Sequence, residues 1–377
     1  MPKVIEDYST KYIQTNKKKK INKCLMLSGG GTNQTFFSCG SVKCIVDNGL
    51  FDFELISAIS GGTLLLTLIE LCMSDTFGYY KKSDWYNRFV RKNLYKITDG
   101  MIIPTAIRNI ANIANITNYV FDTVIPDFNK LYDKSNKNVI YEYNYVDANK
   151  LQISCDHTDI IDIPNNIKDP QWFYKRPLRC GLPFTIFNDK PTYDGGNICN
   201  ISITTVFSRY KLKNLFIIHA TPTLIYDTYP SQSLFNIYNN KLSNIMDTAE
   251  NSIQDMLPLC TENCDNVIYC SMSNSLNKSK DKYHNGLFDN WRKDCPYYIR
   301  MYNGLIFNNK SLIKIIENEG YIQMYYQLKQ KYPNKKIIFD IPNPDVYNSN
   351  VKQLLTDSIN QNMFMMFSNE ILNAPKI

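Results

Sequence analysis

Residues 24–32 read Cys24-Leu25-Met26-Leu27-Ser28-Gly29-Gly30-Gly31-Thr32, and residues 53–63 read Phe53-Glu54-Leu55-Ile56-Ser57-Ala58-Ile59-Ser60-Gly61-Gly62-Thr63. Each is a short apolar run of strand length that stops at glycines. Between them, from about Gln34 to Asn48, Phe37, Val42, Ile45 and Val46 share one helical face, and Gly49 suits the C-terminal cap. After the second run, Thr63 to Met73 is a Leu-rich, strongly apolar helix. The order is strand, glycine loop, helix, strand, sharp turn, helix. That βαβα unit predicts an α/β fold with a central, mostly parallel sheet flanked by helices.

Further along, residues 83–134 carry a helical pattern on Trp85, Phe89, Ile107, Ile110, Ile113, Val120 and Phe121. Residues 139–163 alternate as strands do, and Trp172 to Cys180 reads as a helix. Thr192-Tyr193-Asp194-Gly195-Gly196 is a strand running into a turn, and Leu215–Ile218 and Val267–Cys270 are further strands. Long helices are predicted over about 232–258, 311–331 and 350–372. Residues 1–20 read as a polar, basic N-terminal tail and 21–377 as a single domain. The motifs fall within about 23–220, and a mainly helical part covers about 221–377.

Bulk properties limit the classes. A hydrophobic content of 44% with 20% charged residues is enough for a sizeable core. Heavy use of Asn, Ile, Lys and Tyr fits coding by an AT-rich genome, such as that of a giant DNA virus or some protists, and says nothing about chemistry. The net charge of +7 is mild for 377 residues, so no nucleic acid partner is expected. The one dense basic run, Lys17, Lys18, Lys19 and Lys20, reads either as a solvated tail or as a peripheral contact with anionic membrane. An odd 11 cysteines scattered through apolar segments argue for free thiols. Cys260, Cys264, Cys270 and Cys295 lack the paired spacing of a zinc site, so no metal is expected. Met1 to Ile21 shows no apolar signal region, and no window of about 20 apolar residues could span a bilayer. Acceptor sequons at Asn33 and Asn200 fall inside the motifs discussed next, where a glycan would block the site. A cytoplasmic protein is the consistent expectation.

Three short strings carry candidate chemistry. Ala58-Ile59-Ser60-Gly61-Gly62 follows a strand and precedes a helix, as in a nucleophile elbow of the form G-x-S-x-G with Ala in its first place. The chain must turn so sharply there that small neighbours are required. The same string is also compatible with an ordinary turn. Ser28-Gly29-Gly30-Gly31-Thr32 leaves bare backbone N–H groups at a helix N-terminus, which suits an anion. One reading is a phosphate loop, although no Lys-Ser/Thr follows and Gln34 breaks the G-x-G-x-x-G fingerprint. The other is an oxyanion hole. A serine nucleophile needs a base. Of the three histidines, His157, His219 and His284, none sits in a catalytic-looking motif. Asp194 does, because Gly195-Gly196 lets the backbone turn tightly and present the carboxylate.

Leu27-Ser28-Gly29-Gly30-Gly31, Ile59-Ser60-Gly61-Gly62 and Tyr193-Asp194-Gly195-Gly196 occur in the order and context of the patatin-like phospholipases. The chain resembles that family also at Cys180-Gly181-Leu182-Pro183-Phe184 and at Asn200, over about residues 23–203. The resemblance implies a patatin-like fold and a lipid acyl hydrolase of phospholipase A or lysophospholipase type, with phospholipid or lysophospholipid esters as substrates and no cofactor. It implies a Ser-Asp dyad in which Ser60 is the nucleophile and Asp194 the general base. The oxyanion hole would come from Gly29, Gly30, Gly31 and Thr32. Gly61, Gly62, Gly195 and Gly196 would support the elbow and the turn. Two departures stand out. Asn33 and Gln34 replace the family's basic residue and Gly, which predicts a crowded, less positive loop, and Ala58 replaces the elbow Gly. The Asn33-Gln34 departure motivates an alternative: a catalytically weak or inactive lipid-binding or scaffold protein of the same fold.

Overall fold

The computed structural model describes residues 18–73, 83–100, 139–150, 152–157, 185–187, 190–197, 199–219, 256–271 and 310–346. Its centre is an eight-stranded sheet. Strand β1 (Lys19–Leu27) leads through the glycine loop into helix α1 (Gly31–Asp47). Strand β2 (Leu55–Ile59) leads through the Ser60 turn into α2 (Gly62–Met73). A π-helical turn (Tyr86–Arg91) continues as α3 (Lys92–Gly100). Then come β3 (Ile140–Asp147), β4 (Gln152–His157), β5 (Thr185–Phe187) and β6 (Lys190–Asp194). A 3-10 turn (Gly195–Asn197), α4 (Ile203–Arg209) and β7 (Tyr210–His219) follow. Helix α5 (256–263), β8 (Asn266–Ser271) and the long α6 (Lys310–Lys331) complete the elements.

Strands β3, β2, β1, β7 and β8 are parallel neighbours in that order. Helices cover both faces. One core cluster joins the sheet to α1, α2, α3 and α6, and a second joins it to α4 and α5. Burial on both faces explains why β1 ends in five consecutive buried residues instead of alternating. The expected βαβα unit, strand pairing and helix at 311–331 are all present, and Gly49 caps α1 with φ 63°. The expected helices at 172–180 and 350–372, the expected helix at 232–258 as far as residue 255, and the helical pattern beyond residue 100 lie outside the described residues.

The sequence reading differs at one place. Strand β1 begins at Lys19, inside the stretch read as tail, because Lys19 and Lys20 pair with Tyr210 and Lys211 of β7. The sheet is mostly parallel, as expected, and its antiparallel pairings gather around β3 and β6. β4 pairs antiparallel with β3 along residues 142–147 and so occupies one edge of that strand. The other edge is therefore shared end to end: β2 pairs with residues 140–144, and the antiparallel β6 pairs with 145–147. Consequently Ile59, opposite Asn144, and Asp194, opposite Tyr145, meet head to head along β3.

Helices α1 and α6 cross at backbone contact. A Cβ on Gly40 would lie 1.8 Å from Glu317 O, and one on Gly320 would lie 1.9 Å from Phe37 O. Both positions require glycine, and Ser41 Oγ locks the crossing by donating to Gly320 O at 2.9 Å.

Candidate active site

Ser60 sits at the first residue beyond β2 with φ 50°, a left-handed conformation that costs a non-glycine residue strain. The turn is held tightly. Thr63 N donates to Ser60 O at 2.9 Å, and the Thr63 hydroxyl reaches the same oxygen at 2.5 Å. Neither flanking glycine admits a side chain. A Cβ at Gly61 would lie 2.3 Å from Gly31 O, and one at Gly62 would lie 2.9 Å from Leu27 O. Ala58 is accommodated within β2, fully inside the core, so its extra methyl does not disturb the turn.

Asp194 ends β6. Its Oδ2 accepts a hydrogen bond from Ser60 Oγ at 2.9 Å, and its Oδ1 accepts one from Gly196 N at 2.8 Å. Gly195 packs its Cα against Ile59, where a Cβ would come within 2.5 Å of that side chain. Gly196 lies beside Ser60, where a Cβ would be 3.4 Å from Ser60 Oγ. Burial pushes the Asp194 carboxyl up to about 6, against the smaller opposing pull of the Gly196 and Ser60 hydrogen bonds. A carboxylate so placed is a better base than an ordinary Asp and is still mostly ionised at neutral pH.

The glycine loop abuts this pair. Gly29 approaches so closely that a Cβ there would lie 3.1 Å from Ser60 Cβ and 3.3 Å from Asn200 Oδ1. Gly30 caps α1 with φ 134° and no side-chain cap, and Gly31 has φ 60°. The loop is tied to the elbow by Thr35, whose hydroxyl lies 2.7 Å from Gly61 O and 3.0 Å from Gly31 O. Thr32 lies in the first turn of α1.

Two expectations change. Gly29 N is already bonded to Asn200 O at 2.8 Å, so its amide serves the fold, and the candidate anion donors narrow to Gly30, Gly31 and Thr32. Gln34 does not crowd the loop. It is fully buried beneath it, receives a hydrogen bond from Ser28 Oγ at 2.9 Å and donates to Ile218 O at 3.1 Å, which braces the loop from below. Lys19 and Lys20 lie at the start of β1, whose far end carries the glycine loop. A nine-residue strand separates them from the site by roughly 25 Å. Lys18 Nζ donates to Phe207 O, and Lys17 lies outside the described residues.

Neither described histidine is placed at the dyad. His157 ends β4 opposite Glu142. His219 is buried at the end of β7 beside Tyr269, and burial lowers its pKa to about 4. His284 lies outside the described residues. Cys260 and Cys264 sit at α5 and Cys270 on β8, all as free thiols, and no group of three potential ligands among the described residues could hold a metal ion. No helix among them is long and apolar enough to cross a membrane. The sequence reading missed Thr35 and Thr63. Hydroxyls one helical turn beyond each glycine turn were the available signal.

No protein-family model matches the chain, and no curated protein matches it in sequence. Among solved structures, it is similar to a crystal structure of VipD from Legionella pneumophila. The TM-score is 0.35 and the identity 9%, over 95% of this chain and 81% of that one.

Proposed function

We propose that the chain is a serine-dependent lipid acyl hydrolase with a patatin-like fold, cleaving phospholipid or lysophospholipid esters through a Ser60–Asp194 dyad. The observation that carries this reading is the 2.9 Å hydrogen bond from a strained elbow serine to a half-buried carboxylate of raised pKa. The motif order Gly29-Gly30-Gly31, Ser60-Gly61-Gly62, Asp194-Gly195-Gly196 supports it.

In this mechanism Ser60 Oγ attacks the ester carbonyl carbon and its proton passes to Asp194 Oδ2. The developing oxyanion is met by the amides of Gly30, Gly31 and Thr32, each such donor being worth about 3 kcal/mol of barrier. Collapse expels the alcohol, which takes the proton from Asp194, and leaves acyl-Ser60. Water then attacks the acyl group, gives a proton to Asp194, and the proton returns to Ser60 as the fatty acid leaves. No histidine, metal or cofactor takes part. The protein acts as a single domain in the cytoplasm. Contact of Lys19 and Lys20 with anionic lipid would tether the molecule and not deliver substrate, since these two residues lie at the end of β1 opposite the glycine loop. The alternative, a lipid-binding protein without catalysis, rested on Asn33 and Gln34. The buried bracing role of Gln34 leaves it only the missing basic residue at Asn33.

A fluorophosphonate probe tests the proposal. Wild type is expected to label at Ser60, and labelling should vanish in Ser60→Ala. An unlabelled wild type, beside an active serine hydrolase that labels, overturns catalysis.

A further inference from the structure

Asn144 lies on β3 at the point where the strand carrying Ser60 gives way to the strand carrying Asp194. It is opposite Ile59 of β2, and the next residue, Tyr145, is opposite Asp194 of β6. The side chain is fully buried. Its amide Nδ2 donates to Ser57 Oγ at 2.9 Å and to Ala58 O at 3.0 Å, so it grips the two residues that precede Ile59 and Ser60. Its backbone carbonyl oxygen lies near Gly195, where a Cβ would approach to 3.1 Å. One residue therefore touches both arms of the dyad.

The arrangement is a poor choice for stability alone. Asn144 Oδ1 is buried with no hydrogen-bond partner. An orphaned acceptor of this kind costs about 1–3 kcal/mol, and buried positions on central strands ordinarily hold apolar side chains. Ala58 O can only accept, so the amide cannot rotate to satisfy Oδ1 without leaving the elbow strand unheld. The two donors are spent on β2, and the cost falls on the side that makes no contact.

We propose that Asn144 is a positioning residue, clamping β2 against β3 so that Ser60 Oγ stays within hydrogen-bond distance of Asp194. The role in catalysis rests on the hydrolase reading above, but the geometric role does not. Asn144→Leu keeps the number and branching of the side-chain heavy atoms while deleting both donors. Its effect is expected in two independent measurements. The Asp194 carboxyl, followed by carbon NMR, should titrate above the wild-type value of about 6, because a displaced Ser60 no longer stabilises the ionised form. In ester hydrolysis kcat should fall about 10²-fold with KM unchanged, the expected cost of roughly an ångström of misplacement.

Tyr143→Phe is the control. It deletes a buried hydrogen bond from the same strand to Glu70 Oε2 at 2.6 Å and should lower the melting temperature without moving the Asp194 titration or kcat. An unchanged Asp194 titration in Asn144→Leu overturns the proposal, as does a shift of equal size in Tyr143→Phe. If Asn144→Leu does not fold, Asn144→Ser, which keeps one short donor, is judged by the same two outcomes. A wild type without esterase activity defeats the hydrolase reading and leaves the titration to decide the positioning role.

Discussion

Asp194 and Glu317 are both acidic side chains drawn out of water, and the protein treats them in opposite ways. Glu317, in the middle of α6, is fully buried and surrounded by donors. Arg91 reaches it through Nε at 2.5 Å and Nη2 at 2.9 Å, Tyr95 Oη and Asn343 Nδ2 each at 2.7 Å, and Cys39 Sγ at 3.4 Å. Burial alone would raise its pKa, but Arg91, Asn343 and Tyr95 together outweigh burial and hold the carboxyl below its ordinary value. Asp194 receives one backbone and one hydroxyl donor and no cation, so burial wins and the carboxyl rises to about 6. A carboxylate saturated with donors is a fixed structural anion, and one left short of donors remains able to accept a proton. The hydrolase proposal needs the second kind at the elbow.

The largest test separates the two by activity. Ser60→Ala and Asp194→Asn should each lower ester hydrolysis by about 10³-fold or more while leaving a folded protein. Replacing all three histidines should leave most of the activity. A folded triple variant with none would make the dyad insufficient and break the contrast. The same contrast should reverse for stability. Glu317→Ala leaves the half-buried Arg91 guanidinium unpaired and should cost about 3–5 kcal/mol in denaturant unfolding, with residual folded enzyme still active. Asp194→Asn should instead stabilise at pH 7 by up to about 3 kcal/mol, the linkage value of a carboxyl moved from 3.8 to about 6. A destabilised Asp194→Asn would mean that the carboxylate is better solvated than its surroundings imply.

The pH dependence follows with opposite signs. The Asp194 value in the folded chain lies above its unfolded value. The native state therefore binds more protons between about pH 4 and 6, and this group's contribution to stability is lost as pH rises through that window. Glu317 lies below its unfolded value of 4.5. Its contribution is present above that pH and is lost as pH falls through the lowered folded value. Activity tracks Asp194: kcat/KM should fall tenfold per pH unit below about 6 and level off above it. A profile flat down to pH 5 would remove Asp194 as the base.

Much of this was legible in the chain, and the reasons are local. Glycines next to Ser60 and Asp194 report backbone that must turn tightly, and a turn is written in adjacent residues. The βαβα unit was readable because a strand-length apolar run that stops at glycines and a period of 3.6 are short-range signals. What brings the two reacting residues together was not readable. β6 takes over the edge of β3 where β2 stops, through pairings between residues about 45 to 85 positions apart that no local pattern encodes. Gln34 was misread for the same reason. A polar residue in a loop motif suggests crowding, and only the packing of α1 on β7 turns its side chain under the loop towards Ile218. The Glu317 cluster left no motif at all, because its partners come from four separate segments.

The smallest effect sharpens the comparison most. Tyr95→Phe removes one donor from Glu317 and keeps the ring that packs on Phe36. If Glu317 is held down by the combined set, losing a single neutral donor should cost only about 1 kcal/mol, since Arg91 and Asn343 still reach the same carboxylate. The acid limb of the stability curve should move slightly towards higher pH, because the folded Glu317 value rises towards 4.5 but does not cross it. Asp194 offers no such reserve. Gly196→Pro deletes its only backbone donor, and the hydroxyl that remains is the group to be deprotonated. Redundant donors make one carboxylate tolerant of loss, and their scarcity makes the other sensitive. Unfolding curves of Tyr95→Phe across pH 3 to 7 measure that tolerance directly, and a loss of several kcal/mol would show that the cluster is as thinly held as the dyad.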